Sequence, residues 1–224
     1  MAPTTEMSIC PADLSGRFVR LEPLSLRHSN DLWEAIGGGA NEALWTYLPI
    51  GPFATPAEFD GFVAEKTAAT DAHWLAIIDK KSGRPAGVLA LMRIDTRHRV
   101  IEVGGVILSP GLQRTPASTE AQYLLARHAF ETLRFRRYEW KCDNRNEPSK
   151  RAAERLGFTF EGVFRQHMMV RNQNRDTTWF SMLDGEWPSR KTAFEAWLDE
   201  TNFDAAGRQK VALSSLRKGR LDNG

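Results

Sequence analysis

The chain has 224 residues, 42% of them hydrophobic and 26% charged, which is ordinary for one large globular domain or two small ones with a buried core. A net charge of +2, from 30 basic and 28 acidic side chains, argues against a dedicated nucleic-acid binder, although a local cluster of donors suffices for a phosphate. Cys10 and Cys142 have neither metal-site nor disulfide spacing, and no apolar run approaches the ~20 residues of a membrane span. The expectation is a cytoplasmic protein with two free thiols and no resident metal.

Residues 1–15 read as a flexible N-terminal arm. Residues 18–21 read as a strand closed by Pro23, and Ser25 caps a helix through Ile36 that three glycines end. Residues 41–53 carry two prolines and lack a period, so they form a loop that leaves Trp45, Tyr47 and Phe53 exposed or lining a pocket. Thr55, Pro56 and Glu58 start a helix to about Thr70. Residues 73–79 and 86–94 form a hairpin, and residues 100–108 a further strand with a bulge or close approach at Gly104 and Gly105. A helix follows over 117–133, then a strand over 137–142 and a short helix from Pro148 to Leu156, stopped by Gly157. Strands over 158–170 and 175–183 meet at a turn over 172–174. Trp187 and Pro188 close the sheet region, and a last helix spans 191–200. Seven strands in this order imply a mixed α/β (α+β) fold, with helices flanking one sheet, rather than a strictly alternating doubly wound sheet. The domain covers 16–187, and 188–224 form a C-terminal helix and tail packed on it or extending it. Phe194, Trp197 and Leu198 make that helix amphipathic, suited to packing on its own domain or on a second copy of the chain.

From Glu102 to Glu120 a strand, a polar turn and a helix start follow in succession. Unpaired N–H groups and the positive dipole end make such a start a ready phosphate site, and Arg114 adds a charge-assisted donor.

The segment also resembles motif A of the GNAT acetyltransferases. Leu108, Ser109 and Pro110 sit at the strand end, Gln113 opens the turn, and Ala117, Ser118, Thr119 and Glu120 begin the helix. Pro116 departs from the pattern by standing where the family usually has glycine, which removes one N–H donor. A second stretch resembles motif B: a strand through Trp140 and Cys142, then Asn146 and Ser149 as N-x-x-S, then a short helix ending Leu156, Gly157, Phe158. The opening residues 16–24 resemble the branch that includes ribosomal-protein N-terminal acetyltransferases.

The resemblance implies a central, twisted, mostly antiparallel sheet of about seven strands that splays at its centre. It also implies acetyl-CoA as cosubstrate, with direct acetyl transfer in a ternary complex to a primary amine of a small molecule or a protein N-terminus. Glu102 would be the general base, its neighbours Ile101 and Val103 giving an apolar setting suited to that task. Val106, Ile107 and Leu108 would act through their backbone. The turn residues Gln113, Arg114, Thr115, Ala117, Ser118 and Thr119 would hold the pyrophosphate. Asn146 would bind the cofactor arm or cap the short helix, and Ser149 would also border the arm and protonate the departing thiolate. Trp45, Tyr47, Trp140, Trp179 and His167 are the aromatic candidates for the acceptor pocket, whereas His128 reads as a packed structural residue. Cys142 has no base partner in the sequence, which argues against an acyl-enzyme. Neither a membrane nor a nucleic acid is expected as a partner. A CoA-binding interaction or sensor module without catalysis is the alternative.

Overall fold

In a computed structural model describing residues 9–11 and 13–218, the chain builds one eight-stranded sheet, one strand more than the sequence pattern foretells. The extra strand, β1 (Leu14–Ser15), pairs with β2 (Val19–Pro23) and lies in the stretch read as an arm; residues 1–8 and 12 of that stretch lie outside the described residues. Ser25 opens a 3-10 turn (Leu26–His28), and α1 (Ser29–Ile36) begins only after it. α2 (Pro56–Ala68) starts as expected, with the Thr55 hydroxyl accepting from the Glu58 N–H and proline in the first turn.

The hairpin of β3 (Ala72–Asp79) and β4 (Pro85–Asp95) continues antiparallel into β5 (Val100–Leu108). α3 (Pro116–Arg127) runs on through a π-type turn (His128–Thr132), and the chain re-enters the sheet as β6 (Arg137–Asp143), parallel to β5. α4 (Glu147–Leu156) leads to the hairpin of β7 (Thr159–Val170) and β8 (Gln173–Leu183). Its turn is the residue pair Arg171 and Asn172 rather than 172–174: both have positive φ, as a two-residue turn between right-twisted strands requires. α5 (Trp187–Leu198) begins at the tryptophan taken as the end of the sheet region, because Pro188 fits a helical first turn, where its missing N–H costs nothing. α6 (Leu213–Lys218) buries Leu213, and the Arg217 guanidinium caps the last carbonyls of α4 at Glu154 and Arg155. The strand order is β1-β2-β3-β4-β5-β6-β8-β7, and β5–β6 is the one parallel pair among the described strands.

Two cores lie on opposite faces of the sheet. Leu75, Leu89, Ile101, Tyr138, Trp140, Phe180 and Met182 face α3, α5 and α6. Trp74, Ala76, Val88, Ala90 and Ile107 face α1 and α2. Trp45, read as a loop aromatic lining a pocket, is instead 0% exposed in this second core, packed edge-on to Phe53, Phe59 and Phe62 with its indole N–H on the Ile36 carbonyl. An indole whose body and donor are both satisfied inside gains nothing by facing water.

α1 and α2 cover the second face only as far as β5. Beyond it, β6 presents Arg137, Glu139, Lys141 and Asp143, and β8 presents Arg175, Thr177, Trp179 and Ser181, with no helical layer over them. This polar half-face borders the candidate site.

Candidate functional site

The site begins with an irregularity in β5. Gly104 pairs with Ala90 and Ile107 with Val88, so Gly105 and Val106 together stand opposite Leu89 in a bulge. Gly105 takes φ +58°, and a Cβ there would strike the Trp74 ring, so the position needs glycine for both conformation and space. The extra residue shifts the side-chain phase: Ile101 and Val103 face the α3 core, whereas Ile107 faces the α2 core. It also ends the pairing with β6. The parallel ladder holds residues 100–103 against 137–140 and then stops, while β6 continues along β8. The two central strands therefore part beyond Val103 and Trp140. On the side facing the gap, the backbone of Val106, Ile107 and Leu108 has no strand partner.

β5 leads into the turn before α3. Ser109 O accepts from the N–H groups of Leu112 (3.0 Å) and Gln113 (3.1 Å). Arg114 is exposed with φ +61°, and Pro116 occupies the first turn of α3. The N–H groups of Arg114, Thr115 and Ala117 meet no acceptor among the described residues. Two of the expected donors are engaged elsewhere, and a third group serves as an acceptor. The Gln113 side chain donates back to Leu108 O (3.0 Å), the Ser118 N–H reaches the capping hydroxyl of Thr115 (3.3 Å), and the buried Thr119 hydroxyl accepts from Arg155 (3.0 Å). A groove of about 470 Å³ between the end of α2 and β4 reaches Met92 and Arg93, and another of about 660 Å³ runs past Arg17, Lys80 and Lys81 to Thr115.

Across the gap, Asn146 caps α4 by accepting from the Ser149 N–H (3.1 Å). Trp140, a candidate pocket wall, is buried against Phe158 on the α3 side, and its indole N–H donates to Ser149 Oγ (3.0 Å). It thus supports the site from behind. The Cys142 thiol is buried, and burial pushes its pKa up against the opposing hydrogen bond from Ser149, so it is a poor nucleophile.

Glu102 is 3% exposed on the polar half-face, next to Glu139 in register. Its setting is ionic rather than apolar, because a strand sends alternate residues to opposite faces and Ile101 and Val103 point away. Arg93 Nη1 lies 2.7 Å from Oε1, and Lys141 Nζ lies 2.8 Å from Oε2. The lysine contact is an ion pair without hydrogen-bond alignment, which leaves Oε2 otherwise unbonded. Lys141 also pairs with Glu139 (2.8 Å) and stands 3.7 Å over the Trp179 ring.

The remaining aromatic candidates separate. Tyr47 is half-buried and near enough to Arg145 to act on it electrostatically, which brings the 41–53 loop to the β6–α4 junction. His167 is exposed, accepts or donates at Thr177 (3.0 Å), and joins Phe164 and Trp179 in a ring cluster. His128 is buried, with Nε2 on the Ile9 carbonyl. Arg93, Glu139, Lys141 and Arg175 were not singled out from sequence. Three of the four belong to a legible pattern: charged or polar residues alternate along 137–143 and recur on β8, marking one polar sheet face. Arg93 joins them only through a positive φ of 47° where β4 loses register. Among the described residues no group of three or more His, Cys, Asp or Glu is placed to hold a metal ion, and no helix is long and apolar enough to cross a membrane.

A family model described as an acetyltransferase (GNAT) domain matches residues 19–159. Among solved structures, a GCN5-related N-acetyltransferase from Brucella melitensis is 48% identical, with 96% of each chain covered and a TM-score of 0.90. A probable acetyltransferase of the GNAT family from Chromobacterium violaceum ATCC 12472 is 40% identical over 84% of this chain and 94% of its own, with a TM-score of 0.76. The curated relative YdaF of Bacillus subtilis (strain 168), provisionally named a ribosomal N-acetyltransferase, is 30% identical over 109 residues, 49% of this chain. The chain spans 59% of that relative's length.

Proposed function

Because the chain belongs to the GNAT acetyltransferase family, we propose that it transfers an acetyl group from acetyl-CoA directly to a primary amine, on a small molecule or a protein N-terminus, at the gap between β5 and β6. The observation that carries this reading is the parting of those strands directly beside the N-terminus of α3. It leaves a run of strand backbone and a set of helix-start N–H groups free in one place, which suits an extended amide-containing arm ending in a pyrophosphate.

Acetyl-CoA, when bound, supplies a thioester carbonyl activated toward a neutral amine. The N–H groups of Arg114, Thr115 and Ala117 hold the pyrophosphate, with none from Pro116. The backbone of Val106, Ile107 and Leu108, without a strand partner on the gap side, aligns the arm and offers an N–H to the carbonyl oxygen. Gln113 and Ser118 border the turn, and their polar groups turn outward only if the present bonds exchange. Glu102 takes the proton of the incoming ammonium through a water, while Arg93 and Lys141 fix its carboxylate. Ser149 accepts from Trp140, its own proton serves a leaving thiolate by exchanging away from the Cys142 thiol, and Asn146 orients it through the α4 cap. Tyr47 and His167 flank the acceptor approach on the open half-face. The reaction needs no acyl-enzyme, in keeping with the buried Cys142.

The test has two arms. CoA at a hundred times its Kd adds ~2.7 kcal/mol, a Tm rise of about 5–10 °C for a domain of this size. Acetyl-CoA consumption is then followed over a panel of small amines and peptides with free N-termini. No stabilisation by any CoA ester would sink the cosubstrate assignment. Stabilisation without turnover of any amine would select the binding-module alternative.

A further inference from the structure

On the polar half-face, Arg175 is a cation without a counter-ion. It projects from β8 beside Asp143, Cys142, Arg93 and Glu102, the ionisable groups close enough to act on it. Every carboxylate among them is already engaged. Asp143 accepts from the Arg145 backbone N–H (2.8 Å), Nε (3.1 Å) and Nη2 (2.9 Å), and Glu102 holds Arg93 and Lys141. The Arg175 side chain makes no hydrogen bond or ion pair among the described residues, and its Nε is buried without an acceptor. Burial lowers its pKa, and no hydrogen bond offsets the lost hydration. Four residues along the same strand face, the buried Trp179 Nε1 is a second donor without an acceptor. Buried donors left unmet have a cost that calls for an acceptor.

Position points the same way. Arg93 stands on β4 and Arg175 on β8, with β5 and β6 between them. Three strand spacings amount to roughly 14 Å across the sheet, and Arg175 lies further along β8, past the Thr177–Asp143 pair that ends its ladder with β6. The two guanidinium groups nonetheless lie near enough to feel each other's charge and that of Glu102, on the half-face that borders the place where β5 and β6 part. Like charges on one half-face, one of them unpaired, favour an anion there.

We propose that Arg175 receives an anionic group of the acceptor, so that the amine acetylated by this protein carries a carboxylate in the same molecule. The inference rests on the acetyl-transfer reading. It names the acceptor class: amino acids, or peptide N-termini with an acidic side chain close by, in preference to polyamines, whose second ammonium Arg175 repels.

Calorimetric titration tests this without requiring turnover. N-acetylaspartate, acetyl-glycyl-aspartate and acetyl-glycyl-glutamate, each beside its neutral amide, are titrated into the full-length protein saturated with CoA. At least one acid is expected to bind ten or more times tighter than its amide. R175Q abolishes that advantage and R175K keeps part of it, while CoA affinity, measured on each variant, stays at the wild-type value. The proposal is overturned if no acid binds folded wild type, if acids and amides bind alike, or if R175Q keeps the preference. Loss of CoA affinity in R175Q also overturns it, since the anion is then the cosubstrate's own. Failure of CoA to bind wild type strikes the acetyl-transfer reading instead, and the same titration of the free protein then decides whether Arg175 holds a carboxylate.

Discussion

Two glutamates show how far a residue's role depends on what surrounds it. Glu102 lies between two cations, and replacing it with glutamine removes both a proton acceptor and a buried counter-ion. A general base contributes on the order of 100-fold or more. Glu102→Gln is therefore expected to lose about 100-fold in kcat with CoA affinity unchanged; full activity across about pH 6–9 would remove Glu102 from the chemistry. Glu120, from the same motif, does something quite different. Its buried carboxylate accepts the N–H groups of Arg17 (2.7 Å), Phe18 (2.6 Å) and Val19 (2.8 Å), clamping α3 to the start of β2. Gly16 leaves room for it, since a Cβ there would meet the carboxylate. Glu120→Gln puts an amide donor against backbone donors and is expected to cost about 3 kcal/mol. That is a Tm fall of roughly 6–12 °C, and an unchanged thermal transition would refute the clamp. Glu120 sits in the recognisable motif, yet its partners lie more than a hundred positions away, so its structural role could not be read from spacing.

At the scale of elements, β5 decides the site. Its bulge turns one strand into two halves with opposite inward faces and releases the second half from β6. Gly105→Ala adds a methyl group against Trp74 in a left-handed conformation, with an expected cost of about 2 kcal/mol. If the bulge sets the gap, CoA affinity also falls about tenfold, or ~1.4 kcal/mol; loss of stability with unchanged CoA affinity would separate bulge from gap. The bulge was visible beforehand as two adjacent glycines in a strand, and so was the cap at Thr55, while the cap at Asn146 was one of two readings of that residue and the cap at Thr115 was not foreseen. Element ends were less legible. α5 starts at Trp187 because proline stops a strand and starts a helix equally well, and only the packing of Trp187 on Phe130 and Tyr123 chooses between them.

For the molecule as a whole, α3 and α5 are tied through Tyr123, whose hydroxyl donates to Glu195 (2.9 Å). Burial, with that bond to Glu195, raises the Tyr123 pKa from 10.0 to about 12. The folded protein thus holds a proton that the unfolded chain releases first. This contribution to stability is complete below about pH 10 and is lost as the pH rises through 12. Tyr123→Phe is expected to flatten the decline of Tm over that alkaline window, and parallel curves for variant and wild type would dismiss the linkage.

Sequence by itself determined the local order of this protein: which stretches are strand or helix, where caps and turns fall, and that motif A and motif B follow one another at a family's spacing. These follow from short-range forces, namely side-chain alternation, capping hydrogen bonds and the backbone limits of glycine and proline. Only the tertiary structure decided which of these residues meet. It withdrew Trp45 into the α2 core and placed Trp140 behind Ser149. It gave Glu102 an ionic shell from β4 and β6 and left the Arg175 Nε without an acceptor on the half-face beside the gap. The physical reason is that burial and ion pairing depend on separation in space, and a sheet ordered β4-β5-β6-β8 brings together charges from positions 93, 102, 141 and 175 that nothing in the chain's local pattern connects.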